Sequence, residues 1–311
     1  ADEVGLGKTF VAREVINLVR QWHRDELKDD FFKVVYICSN ANIADQNIEK
    51  LGVANRMNIS ESRLSMQHLY ITLANKQNME KQKDGEMPES IIPLTPSTSF
   101  RFFSAQGTAN ERALMYAILR HLPVFRAYDD VLGNFLCCNV KCWQGNIDNY
   151  QTKIAKCGDE YLSGMLDKLQ KKLYKELTDK VIDYALNGCE YKERAEVINT
   201  LRRIFAEISI DMLDPDLVIM DEFQRFSSLL QQGDDEQSML ARRFFDDSRS
   251  NTKVLLLSAT PYKPYSTLEE LNTDGRDEHY QDFMNVMDFL FVSKEKTDGF
   301  RRTWQQYSSA L

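Results

Sequence analysis

The sequence predicts an α/β protein in which a doubly wound parallel sheet is interrupted by a large helical insertion, and three features predict it. Apolar runs that read as buried strands, Val34 to Cys38, Leu217 to Met220 and Val254 to Leu257, occur toward both ends of the chain, and the first is bracketed by helical patterns. The two later runs end abruptly in polar chemistry, as strands do at the ligand-binding edge of an open α/β sheet. Between about Arg101 and Asp211 the strand signal fades and apolar residues recur at helical steps.

The elements follow in order. Val11, Val15, Leu18 and Trp22 recur at helical spacing, which predicts a first helix with that face buried, before the strand at Val34 to Cys38. Asn40 is placed to cap the next helix, whose Ile43, Ala44, Ile48 and Leu51 share one face. Lys76 to Ser90 is polar and turn-prone, which predicts a surface excursion before the short segment Ile91 to Phe100. In the insertion, Leu162, Leu166, Leu169, Leu173, Leu177 and Val181 predict one long amphipathic helix. Its Lys168, Lys171, Lys172 and Lys175, interleaved with Asp167 and Glu176, read as a solvated face. The tail from Tyr265 to Leu311, with Tyr280, Phe283, Phe289 and Phe291, predicts helices packed on the core.

Bulk composition narrows the class. A chain of 311 residues with 43% apolar and 11% aromatic content can bury one large core or two modest ones and is not biased toward disorder. A formal charge of -8 argues against a surface coated in basic groups, while leaving room for a local basic groove. The six cysteines are scattered, and the N-terminus has no basic stretch followed by an apolar signal core, so a cytoplasmic location is expected. No apolar run approaches the roughly 20 residues that span a bilayer, so no membrane insertion is expected. The chain opens with Ala1 directly at a glycine-rich loop, without an initiator Met or a strand to feed the loop, and reads as a fragment.

That loop carries the chemistry. Asp2-Glu3-Val4-Gly5-Leu6-Gly7-Lys8-Thr9 matches the phosphate-loop string G-x-x-x-x-G-K-S/T at its last three fixed positions and has Asp in place of the first Gly. Gly5 and Gly7 let successive N–H groups face phosphate oxygens at the start of a helix; Lys8 would reach the outer phosphates and Thr9 would hold magnesium. Asp221 and Glu222 follow a continuous apolar strand, which puts two carboxylates at its C-terminal edge: Asp221 for magnesium, Glu222 for the attacking water. Ser258, Ala259, Thr260 and Pro261 end another strand, where hydroxyls can bond to the acidic segment and report on phosphate. Cys137, Cys138, Cys142 and Cys157 lack the paired C-x2-C clips of structural zinc, and the four histidines suggest no triad or clip.

With these residues the chain resembles a superfamily-two helicase or translocase, nearest in wording to the bacterial Swi/Snf-like branch. DEVGLGKT at Asp2 to Thr9 stands for motif I, DEFQ at Asp221 to Gln224 for motif II and SATP at Ser258 to Pro261 for motif III. VYICSN at Val35 to Asn40 and TPSTSF at Thr95 to Phe100 sit where that family has motifs Ia and Ib. The resemblance spans residues 1 to 100 and 205 to 265 and implies the first of two RecA-like lobes, split into residues 1–100 and 211–311 by the helical insertion 101–210. It implies ATP and Mg2+ as ligands, with Asp2, Gly5, Leu6, Gly7, Lys8, Thr9 and Phe10 around the nucleotide. Glu222, Lys8 and Gln224 would be catalytic, Thr9 and Asp221 would hold the metal, and Ser258 and Thr260 would couple hydrolysis to movement. Ser39, Asn40, Thr95 and Ser97 would touch a nucleic-acid backbone, DNA in preference to RNA; capping and turn chemistry is the other reading of those four. The second lobe, with its arginine fingers, is outside these residues and is an expected partner. Two other readings stay open: a nucleotide-gated assembly switch that moves no strand, and a protein-docking module built on the helical insertion.

Overall fold

The computed structural model describes residues 7–28, 31–53, 63–81, 89–99, 106–223, 252–258, 278–291 and 293–310. Four strands, β1 (Phe32–Ile37), β2 (Glu89–Leu94), β3 (Leu217–Asp221) and β4 (Lys253–Leu257), form one all-parallel sheet in the order β2-β1-β3-β4. Parallel strands need long crossovers, and helices supply them. Helix α1 (Lys8–Trp22) runs on through a π turn into β1; α2 (Ala41–Lys50) and α3 (Leu64–Lys81) lead from β1 to β2.

Alternation along the strands covers the sheet twice. Val34 and Tyr36 of β1 join Leu217 and Ile219 of β3 on one face, under Ala12 and Ile16 of α1, Ala44 and Ile48 of α2, and Leu51 just after it. Val35 and Ile37 join Val218 and Met220 on the other, under Leu64 and Ile71 of α3 and the C-terminal end of a long helix, Ala206, Ile210 and Leu213. That long helix is α11 (Tyr191–Leu213). Between β2 and it lie α4 (Pro96–Ser99), α5 (Ala109–Leu119), α6 (Pro123–Arg126), α7 (Asp129–Cys137), α8 (Trp143–Cys157), α9 (Asp159–Lys172) and α10 (Lys175–Asn187). Two further helices, α12 (Glu278–Phe291) and α13 (Lys294–Ala310), follow β4.

The helical body has its own core, in which Leu114, Ile118, Leu136, Tyr150, Leu169, Val181 and Phe205 meet Met66 and Leu69 of α3. Helices α3 and α11 therefore bury residues in the helical body and under the sheet, and they join the two. A buried network fastens the join: Glu111 of α5 accepts from Ser65 Oγ of α3 at 2.6 Å and from Arg202 Nε of α11 at 3.0 Å. Glu111 also completes a capping box with Thr108. Burial pushes the Glu111 carboxyl up, but the Arg202 guanidinium and the donated hydrogen bonds hold it below its ordinary value.

Three expectations need correction. The buried face of α1 is Ala12, Val15, Ile16 and Val19, whereas Val11 is 49% and Leu18 is 66% exposed. Helix α1 carries apolar residues around much of its circumference, so spacing alone leaves two registers open, and the sheet selects one. Lys76 does not begin a surface excursion; it lies in α3, which runs to Lys81. The expected long helix is two, because Leu173 and Tyr174 are extended and the chain re-enters a helix at Lys175. Leu169, Leu177 and Val181 are all buried across that break, so one apolar spacing serves both helices. Lys172 is ion-paired to Glu207 at 3.0 Å and Asp211 at 3.5 Å, which removes it from the free basic face. Among the described residues no helix is long and apolar enough to cross a membrane.

Candidate active site

Helix α1 and the C-terminal ends of β1, β3 and β4 meet in a cleft of about 380 Å3 lined by Lys8, Thr9, Tyr36, Ser39, Asp221 and Glu222 among others. Gly7 caps α1 with φ 98°, a left-handed conformation that costs glycine little, and a Cβ there would meet nothing within 4 Å among the described residues. Among the described residues it is therefore backbone angle, and not crowding, that calls for glycine. The turn aims the first N–H groups of α1 toward the cleft, where the helix dipole favours an anion.

Opposite that helix end, β3 delivers Asp221 at its last position and Glu222 just beyond. Glu222 has φ 56°, a conformation that costs an L-residue with a side chain on the order of 1–2 kcal/mol. Its carboxylate is ion-paired through Oε1 to Nζ of Lys8, 214 residues away in sequence, and both side chains are only partly exposed.

Asp221 is held from two other elements. The Tyr36 hydroxyl of β1 donates to Asp221 Oδ2 at 2.6 Å. The Asn47 amide of α2 donates to Tyr36 Oη at 3.0 Å and to Asp221 Oδ2 at 3.2 Å. Burial, together with the hydrogen bond to Asp221 and its charge, pushes the Tyr36 phenol far up, so it stays a donor at any working pH. Cys38 directly follows the same strand; burial pushes its thiol up, and it donates to the Asn40 carbonyl at 3.1 Å, an inert arrangement.

The expected site residues fall into groups. Lys8, Thr9, Asp221 and Glu222 are brought together, with Ser39 on the same cleft wall. Asn40 directly precedes α2, and its carbonyl accepts from the Ala44 amide at 3.0 Å, as a capping residue's does. Thr95 is buried, its hydroxyl bonded to that of Thr98 and its amide donating to Ser99 Oγ at 3.0 Å, so its polar groups serve the local turn. Ser97 lies in α4. Phe10 is 65% exposed under the Arg13 guanidinium and does not line the cleft. Ser258 is buried just after Leu257, which does. Asp2, Gly5, Leu6, Gln224 and Thr260 lie outside the described residues.

Tyr36 and Asn47 were not anticipated. Tyr36 sits in an apolar run, where a tyrosine passes for core. Asn47 was readable, because it lies on the α2 stripe with Ala44, Ile48 and Leu51, and a polar residue on a buried stripe needs a partner.

Among the described residues no three His, Cys, Asp or Glu side chains are grouped to hold a metal ion by themselves. Magnesium does not need such a cage, since it keeps several waters and takes one or two carboxylates plus substrate phosphates. A hydroxyl from Thr9 and a carboxylate from Asp221, both lining the one cleft, are hard oxygen donors of that kind, and they fit it. Elsewhere, the Cys157 thiol is buried at the Leu69 carbonyl, and the Cys137 and Cys138 thiols donate to Val140 and Phe135 carbonyls. His68 is buried, bonded through Nδ1 to the Tyr161 hydroxyl at 2.8 Å, and burial lowers its pKa to about 3.

The chain matches no family model, no curated protein and no solved structure, so its function is argued from the site itself.

Proposed function

We propose that this chain is the ATP-binding and hydrolysing lobe of a nucleic-acid-dependent helicase or translocase, with a RecA-like α/β core, acting on DNA in the cytoplasm together with a second RecA-like lobe of the same parent. The observation that carries the reading is the convergence of Lys8 and Thr9 with Asp221 and Glu222 in one cleft. A cation, a helix N-terminus, a hydroxyl and two carboxylates are the parts phosphoryl transfer from a nucleoside triphosphate requires.

The roles follow from chemistry. The α1 N-terminus and Lys8 would bind the phosphates, and an entering triphosphate would compete with Glu222 for the Lys8 ammonium. Glu222, freed of its cation, would orient the attacking water and accept its proton. Thr9 and Asp221 would hold magnesium, which supplies positive charge to the β- and γ-phosphate oxygens when bound. Gln224, Ser258 and Thr260 would link the site to strand movement, and Ser39 and Asn40, beside the cleft, would reach a nucleic-acid backbone. Arginine fingers from the second lobe would complete the charge stabilisation, which in related enzymes is worth about three to five powers of ten in rate.

The test is ATP hydrolysis by the full-length parent with and without DNA. Turnover is expected to rise with DNA and to vanish in Lys8→Ala and in Glu222→Gln. Turnover unchanged in both variants would end the reading. Turnover lost in both but indifferent to every nucleic acid, with nucleotide-dependent assembly, would transfer the site to an assembly switch.

A further inference from the structure

We infer that Tyr36 and Asn47 are positioning residues that clamp the Asp221 carboxylate in the orientation in which it receives a magnesium-bound nucleotide. The inference rests on the proposed nucleotide site and adds two residues that the phosphate-loop and acidic-pair strings do not contain.

The geometry is specific. Asp221 is the last residue of β3, paired in the sheet with Leu257 of β4, an apolar neighbour that offers its carboxylate no hydrogen bond. Two donors from separate elements reach the same oxygen, Tyr36 Oη at 2.6 Å from β1 and Asn47 Nδ2 at 3.2 Å from α2. Asn47 Nδ2 also donates to Tyr36 Oη at 3.0 Å. The three groups close a triangle in which each fixes the other two. Oδ2 is committed to the protein, which leaves Oδ1 as the oxygen with lone pairs to offer the cleft. Tyr36 is 2% exposed and belongs to the buried cluster of the α1–α2 face with Val34 and Ile219, so the hydroxyl is held in place by the core. Partners that orient a metal-binding carboxylate in this way commonly control metal affinity by about 10- to 100-fold.

The clamp also has a direction. Asn47 rides on α2, which starts directly after Ser39 and Asn40, the residues expected to meet a nucleic-acid backbone. A shift of α2 would move Asn47 relative to Asp221, so the orientation of the metal carboxylate is mechanically tied to the loop at the cleft mouth.

The experiment titrates Mg2+ into the full-length protein with a fluorescent ATP analogue, reading nucleotide binding in place of turnover. Tyr36→Phe removes one hydroxyl and keeps the ring in the core; Asn47→Ala removes both amide bonds. Each is expected to raise the Mg2+ concentration for half-maximal binding about tenfold or more, with metal-free nucleotide affinity and the melting temperature of Tyr36→Phe close to the parent's. The double variant should cost less than the sum of the two, because the three groups act as a unit. Asp221→Ala is the control. If Asp221→Ala loses the Mg2+ response while Tyr36→Phe and Asn47→Ala keep the parent's, the clamp is refuted and the nucleotide site survives. If Asp221→Ala also keeps it, the nucleotide reading fails first.

Discussion

Replacing Arg202 by Met should reverse the sign of the pH dependence that Glu111 contributes to stability. The Glu111 side chain is fully buried and that of Arg202 is 6% exposed, so the pair is sheltered from solvent screening. Removing the cation leaves a buried carboxylate with the Ser65 hydroxyl, the Thr108 amide and, at 3.5 Å, the partly exposed Arg63. Losing one partner of a buried pair costs about 3–5 kcal/mol, and the remaining donors argue for the lower end. For a domain of this size that is a fall in melting temperature on the order of 6–12 °C. In the parent, the Glu111 pKa lies below its ordinary 4.5, so its stabilisation is complete above that value and is lost as pH falls through the folded pKa. Without Arg202, burial dominates and the folded pKa rises above 4.5; the carboxyl's contribution is then present at low pH and lost as pH rises. Thermal melts followed by circular dichroism from about pH 2.5 to about pH 8, comparing parent with Arg202→Met, read both effects. A variant within about 1 kcal/mol of the parent, with an unaltered pH slope, would show that this pair does not fasten the helical body to the sheet.

Other residues carry separate predictions. His68 stays neutral when folded, with a pKa near 3, while an unfolded chain takes up a proton near 6.5. Its contribution is therefore intact above pH 6.5 and declines as pH falls toward 3, and His68→Gln should flatten that part of the stability profile measured by denaturant titration. Gly7→Ala meets no side chain among the described residues, so the cost expected there is that of the left-handed backbone, about 1–2 kcal/mol in chemical denaturation; a much larger loss would mean that space and not angle sets the glycine. Lys8→Ala breaks a partly exposed ion pair and should cost less than about 1 kcal/mol of stability while removing nucleotide binding; melts and nucleotide titrations on one sample separate the two.

Three of the described strands were legible because parallel strands covered by helices are apolar in runs: Val34 to Ile37 and Leu217 to Met220 are buried throughout, and Val254 to Leu257 is partly buried, whereas β2 was read only as a short segment. The acidic pair was legible for the same reason, since a carboxylate straight after such a run can only sit at the strand's edge. Helix α3 was hidden: polar His68, Gln67, Ser65 and Asn75 punctuate it, and most of them are buried among partners from the helical body. Those partners are supplied by residues 46 to 141 positions later: Glu111 for Ser65, Tyr161 for the His68 ring, and Ser209, whose hydroxyl accepts from the His68 amide at 3.0 Å. The break between α9 and α10 was hidden because no Gly or Pro marks it, whereas Gly158 and Gly188, with φ 83° and 77°, mark the neighbouring ends. Tyr36 was hidden because its meaning lies in a tertiary contact with Asp221 that no local pattern encodes, whereas Asn47, on the buried α2 stripe, signals the need for a partner without naming it.

Everything functional depends on whether the cleft between α1 and β3 holds a magnesium-bound triphosphate. Equilibrium binding of radiolabelled ATP to the Glu222→Gln protein tests this most directly, because the substitution keeps the residue's size while removing the base and the partner of Lys8. The account predicts that this variant retains ATP in the presence of Mg2+ without hydrolysing it, and that adding Lys8→Ala abolishes retention. Binding by the double variant equal to that of Glu222→Gln would contradict it.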